Sequence, residues 1–325
     1  MRSNRNLALA LVLVASALPA AAVPPAYLLV DLGRVQEPAA INRSGVVVGT
    51  KYGKDVRANV YENGEWTSLK TRRFRSFASA VNCHGDVVGR DGLLPVLWRQ
   101  GHRRVLDGLG FGYANGIADD GTIVGSYTPE RDARCYAWKD GSITDLGTLG
   151  GKGCTANAID PSARYISGSA NIDVAQYIYH AFVHDAQGMH DLGTLGGFNS
   201  VARAVNRYGH AAVWTEYDSA GPGVAAYWNG HELIEVPGLR GNGDSTGVDI
   251  NRHDEMLVRG DDGTDHSVFI YDGRSGTVTA IDPLVLNAQG WYIDRPSGLS
   301  DDGHIVGIGW YQFEEHGYML VPMAP

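Results

Sequence analysis

The sequence predicts an all-β fold: a seven-bladed β-propeller of four-stranded blades, closed by pairing the N-terminal strand with the C-terminal blade. Three observations carry this prediction. One short segment recurs seven times, each copy leads into two further strand-like runs, and the two ends of the chain supply complementary parts of one blade. Repetition at a fixed period marks a repeat architecture, and four strands per about 40–50 residues is the pattern of a propeller blade.

The recurring segment reads Ala40-Ile-Asn-Arg-Ser-Gly-Val-Val-Val-Gly49, then Ala80-Val-Asn-Cys-His-Gly-Asp-Val-Val-Gly89, then Gly116-Ile-Ala-Asp-Asp-Gly-Thr-Ile-Val-Gly125. Worn copies start at Ala158, Ala204 and Asp249, and a clear one at Gly298. Their apolar anchors are Ile41, Val81, Ile117, Ile159, Val205, Ile250 and Leu299, spaced 40, 36, 42, 46, 45 and 49 residues apart. Each copy makes sense as a β-hairpin. Asn or Asp opens a tight turn by bonding its own backbone, and Gly takes the positive-φ position that closes it. Gly45, Gly85, Gly121, Gly209 and Gly303 hold that slot, whereas Ala163 and Asp254 occupy it in copies four and six. Those two turns are therefore expected to differ. The Val/Ile run that follows is a buried strand with strong β preference.

A third strand, usually ending in an aromatic before a turn, follows as at Trp98, Trp138 and Trp228. The fourth reads Ile143-Thr-Asp-Leu-Gly147 in one copy and Met189-His-Asp-Leu-Gly193 in the next. The last copy stops at a third strand, Gly317-Tyr-Met-Leu320, while Tyr27-Leu-Leu-Val-Asp-Leu-Gly33 is a fourth strand without a blade. Pairing the two closes the ring and removes exposed edges.

Upstream, Arg2 and Arg5, the apolar run Leu7 to Leu18 and the small residues Ala20 to Ala22 read as a secretory leader over 1–22. That leaves 23–325 as a single propeller domain, expected to be secreted or periplasmic. The run is too short to span a bilayer, so no membrane span is expected. The formal charge is −9, or −11 without Arg2 and Arg5. Such acidity argues against nucleic acid, whose binding rests on clustered Lys and Arg. Glycine is abundant, at 43 of 325 residues, which suits many tight turns.

Three cysteines, Cys83, Cys135 and Cys154, cannot form a paired scaffold. Cys135 and Cys154 fall in neighbouring repeats and are the one pair to consider. The expectation is that all three are free, with Cys83, near a hairpin turn, the most reactive.

The pattern His180-Ala-Phe, Asp191-Leu-Gly-Thr-Leu-Gly-Gly197, Ala204-Val-Asn206 closely resembles the bacterial extracellular HAF repeat. Nearly the whole mature chain follows it, blade four best; elsewhere the triplet has decayed to Arg134-Cys-Tyr136 or His316-Gly-Tyr318. The resemblance implies an exported propeller-like protein and assigns no catalytic residue.

No nucleophile elbow, zinc-protease motif or phosphate loop is present, and no metal or cofactor is expected. Asp119-Asp-Gly121 and Asp301-Asp-Gly303 resemble calcium loops, but they occupy hairpin turns, and turn chemistry explains them. Loop length is more informative. Connections between strands two and three, and between blades, vary most, and in up-and-down blades both emerge on one face. Function on a rigid scaffold is usually carried by such loops. Two features are expected there. Trp291 and Tyr292 in the last inter-blade loop, with Trp310 and Tyr311 nearby, could stack on a sugar or hold an apolar ligand. Glu37 and Arg295, each four residues before an anchor, are expected to meet as a salt bridge at the mouth.

Three functions fit this layout. The leading one is a monomeric binding module that uses the variable-loop face, with a glycan or an extracellular protein as partner. The second is a lyase-like polysaccharide enzyme, with Tyr113, Arg203, Arg295 and His316 as candidate catalytic residues and Glu37 as charge partner. The third is a structural envelope protein without ligand.

Overall fold

The computed structural model describes residues 26–323 apart from 35, 73–74, 130, 219–221, 240–243 and 265–266. The leader expected over 1–22 lies outside the described residues. Val and Ile runs pair as four-stranded antiparallel sheets, and there are seven of them. The first strands of the blades are Gln36–Ile41, Ser76–Val81, Gly112–Ile117, Cys154–Ile159, Ser200–Val205, Thr246–Ile250 and Trp291–Leu299. Each ends on one of the seven apolar anchors. Every first strand contacts the first strand of the next blade, and the seventh contacts the first, so these strands line the axis of a closed ring. The fold is the seven-bladed propeller that the repeats predict.

Ring closure is as expected. Tyr27–Arg34 pairs antiparallel with Glu314–Pro322, from Tyr27 opposite Pro322 to Arg34 opposite His316. It becomes the outer strand of blade seven. Tyr27 and Leu29 enter a core with Leu257, Val268 and Ile281 of blade six and Tyr318 and Leu320 of blade seven. Leu32 joins Ile41 and Val47 of blade one. A single strand thus stitches three blades together.

Two turns correct their expectation. Ala163 and Asp254 adopt φ of 57° and 65°, close to the 78° of Gly45. The Ala163 amide bonds the Asp160 carbonyl at 2.9 Å, as the Gly45 amide bonds that of Asn42 at 3.0 Å. The turn is kept because the two strands and the Asx bonds dictate it; the non-glycine residue carries the strain. Cysteine pairing is a second correction, since Cys135 and Cys154 form a disulfide with Cα atoms 5.1 Å apart. Cys135 lies in the third strand of blade three and Cys154 opens the inner strand of blade four. These strands face each other, and the Cys154 amide bonds the Ala133 carbonyl at 3.0 Å. Cys83 alone is free.

Candidate functional site

The axial site is built by a distortion that recurs in all seven blades. Register slips between Pro38 and Ala40, Ala78 and Ala80, Ala114 and Gly116, and at the corresponding places in the other four blades. The extra residue is the one two before the anchor. A β-bulge leaves that residue unpaired and re-aims its side chain. Ala39, Ser79, Asn115, Asn157, Arg203, Val248 and Ser297 therefore form a ring around the axis, where they border the central cavity. The bulge also accounts for a glycine in the repeat. A Cβ on Gly89 would lie 2.0 Å from the Phe77 carbonyl oxygen, and one on Gly49 2.3 Å from that of Glu37.

Several bulged residues bond the next blade. Asn115 Nδ2 donates to the Ala156 carbonyl at 2.8 Å, Asn157 Nδ2 to that of Ala202 at 3.0 Å, and Ser297 Oγ to that of Pro38 at 2.7 Å. The hairpin asparagines do the same one turn further along: Asn42 Nδ2 reaches the Asn82 carbonyl at 2.8 Å. The cavity at this end measures about 460 Å³ and is lined by the anchors and turns. Beyond Arg203 it continues into a second space of about 500 Å³ towards the variable loops. At the turn-end rim, Cys83, His84 and Asp119 approach one another. Burial, then Asp119, raises the Cys83 thiol pKa.

On the variable-loop face, Trp291 and Tyr292 are not in a loop. They open the inner strand of blade seven and pair with Tyr311 and Trp310. Trp291 stacks on Tyr311 with ring centroids 5.2 Å apart, and both meet the His316 ring edge-on at 5.7 Å. His316 Nδ1 lies 2.9 Å from Asp31 Oδ1. Tyr292 and Trp310 point to the opposite side of the sheet and stay exposed, at 45% and 40%. Tyr292 Oη is 2.7 Å from Ser267 Oγ.

The expected bridge between Glu37 and Arg295 is replaced by other pairings. Arg295 sits in the bulge of blade seven with φ of 34°, which turns it towards Glu315 and Asp294. Glu37 meets the hydroxyl of Tyr52 and, after burial, helps push its pKa up to about 12. Across the mouth, Arg90 stacks between Phe77 and Tyr113, 4.9 Å and 4.6 Å from their centroids. Among the described residues no hydrogen bond or ion pair links any two of Tyr113, Arg203, Arg295 and His316. Tyr113 stands on blade three, Arg203 on blade five and the other two on blade seven.

The two faces differ in chemistry. Most exposed large apolar side chains belong to the variable-loop face, including Leu93, Phe111, Tyr177, Phe198, Leu286 and Phe313. The exceptions among the described residues are Leu28, Ile143, Tyr208 and Met323. The turn face instead presents Arg43, Arg207, Arg252, Asp119 and Asp301 around the cavity rim. Of this ring the sequence pointed only to Arg203, and the bulge that aims it was not legible, because register slips leave no mark on composition.

No family model matches the chain, and no curated protein does. Solved structures do. A puromycin-hydrolyzing peptidase of Mycobacterium tuberculosis superposes with a TM-score of 0.58 at 12% identity, over 92% of this chain and 55% of that one. A structure from a study of two prolyl endopeptidases gives 0.51 at 10% identity, over 92% and 51%. TolB from Acinetobacter baumannii gives 0.43 at 12% identity, over 68% and 62%. The chain thus spans less than two thirds of each of these proteins, and at such identities the first two likenesses show the fold alone.

Proposed function

We propose that this propeller is an exported, non-enzymatic interaction module whose variable-loop face binds a partner protein. The observation that carries this reading is the asymmetry of apolar exposure. Phe313 is 97% exposed and Tyr177 89%, and both lie on loops between second and third strands, on the face shared with Tyr292 and Trp310. Soluble surfaces seldom gather exposed apolar groups on one side unless something docks there. Aliphatic Leu93, Val174 and Leu286 among the aromatics favour a protein over a sugar, which would stack on rings alone. Export is supported by the charged and apolar start of the chain, by the resemblance to extracellular HAF repeats, and by the Cys135–Cys154 disulfide, which suits a secreted or periplasmic compartment.

A carbohydrate ligand is the second reading, favoured by the exposed rings of Tyr292 and Trp310. One experiment separates the two: affinity capture from envelope and culture fractions alongside a glycan array, each with wild type and Trp310→Ala. A captured protein lost on substitution supports the first reading. A glycan retained by wild type and lost by the variant moves the assignment to the second. A partner held equally by both proteins removes this part of the face from the account.

A further inference from the structure

The ring of bulged residues has one charged member. Six blades present small or neutral side chains to the axis, while blade five presents Arg203, which borders both parts of the channel. Its Nε donates to Thr246 Oγ1 at 3.1 Å, which fixes the plane of the guanidinium. Among the described residues no carboxylate meets it. The carboxyl of Asp249, which also lines the cavity, is already committed, with Oδ2 accepting from the Leu299 amide and Oδ1 from the Ile250 amide, both at 2.8 Å. The channel wall partly desolvates Arg203 and lowers its pKa, while the side chain stays open to the channel. A planar guanidinium that faces the open channel with no carboxylate beside it among the described residues matches a ligand carboxylate two bonds at a time.

The neighbours narrow the ligand further. Asn115 and Asn157 each spend one Nδ2 hydrogen on a carbonyl of the next blade. Each amide keeps Oδ1 and its second Nδ2 hydrogen, an acceptor and a donor that together suit a hydroxyl group. Val248 adds an apolar wall. At about 460 Å³ the cavity is within the range that holds a small molecule. We propose that the axial channel binds a small hydroxycarboxylate, in chemical class a sugar acid. Arg203 holds the carboxylate, and the amides of Asn115 and Asn157 exchange hydrogen bonds with its hydroxyls. No bond is made or broken. This site is independent of the variable-loop face and of whatever binds there.

The test is calorimetric titration of the folded protein with D-glucuronate, D-glucose, acetate and inorganic phosphate, on wild type, Arg203→Gln and Arg203→Lys. Glucuronate is expected to bind wild type at least tenfold more tightly than the other three. Arg203→Gln is expected to lose at least tenfold in affinity, and Arg203→Lys to recover part of it. Absence of glucuronate binding, equal binding of glucose or phosphate, or full affinity in Arg203→Gln would each overturn the proposal. Should Arg203→Gln fail to fold, the Arg203 Nε–H resonance of the wild-type protein decides. Glucuronate is expected to shift it and glucose to leave it unchanged, and an unmoved resonance under glucuronate rejects the site.

Discussion

Aspartate in the outer-strand Asp-Leu-Gly triplet does two things at once. Asp191 Oδ1 accepts from the Gly193 amide at 2.8 Å and from His180 Nδ1 at 2.9 Å. Asp31 repeats this with Gly33 and His316, and Asp145 with Gly147 and Arg134. The histidine of the His-Ala-Phe triplet is thus a structural partner of the outer strand. Since exposed ion pairs contribute little, most of the loss in Asp191→Ala belongs to the turn and should be about 1 kcal/mol, with Asp191→Asn costing less. Urea melts of the two variants check the order. Strain at Ala163 gives a second test. Ala163→Gly should gain up to about 1 kcal/mol and Gly45→Ala lose about as much, since a Cβ at Gly45 meets nothing within 4 Å and only conformation is at stake. Asp249 supplies a pH signature: burial raises its carboxyl pKa to about 6. A carboxyl whose folded pKa lies above its unfolded value near 3.9 favours the folded state when protonated. Its contribution is therefore present below about pH 4 and is lost as pH rises to about 6, on the order of 3 kcal/mol. Comparing wild type with Asp249→Asn in urea at pH 4 and pH 7 should show the variant relatively more stable at pH 7. An unchanged difference would mean the carboxyl is not buried as described.

At the scale of strands, closure and cross-linking dominate. Deleting residues 27–32 removes buried Tyr27, Leu29 and Leu32 together and bares the third strand of blade seven. Each large buried side chain contributes about 2 kcal/mol or more, so the truncated protein should lose several kcal/mol, visible as a large drop in Tm. An unaltered Tm would argue against closure by this strand. Breaking the disulfide as the Cys135→Ala, Cys154→Ala double variant should cost about 2–4 kcal/mol for a loop spanning 19 residues. Denatured, unreduced protein should show one thiol, that of Cys83. How much of this was legible from the sequence depended on what each feature leaves in it. Hairpin turns and anchors were readable because Asn, Gly and apolar residues each answer a local backbone need. The Cys135–Cys154 pair and the fate of Arg295 were not. The first depends on which strands of adjacent blades face each other, the second on a bulge where Ile293 and Pro296 fall out of register. Placing Trp291 and Tyr292 in a loop failed for a related reason. The strand of blade seven runs nine residues, longer than its six counterparts, and no local signal marks the extension.

For the whole molecule, seven blades divide two kinds of surface: charged hairpins at one end of the axis, exposed apolar loops at the other. Residues on the loop face separate into those that hold the blade and those that are offered. Trp291 stacks on Tyr311 and meets His316 edge-on, so Trp291→Ala should destabilise the fold, by about 2–3 kcal/mol. Trp310 is exposed, and Trp310→Ala should leave Tm within a degree or two while weakening partner binding by about 1–3 kcal/mol. Photo-cross-linking in the native host, with benzoylphenylalanine placed singly at Tyr177, Trp310 and, on the turn face, Tyr208, tests directly whether the loop face holds a partner protein. Positions 177 and 310 are expected to trap the same protein, and position 208 to trap none. A species trapped from Tyr208 alone, or no species from either loop-face position, would contradict that expectation.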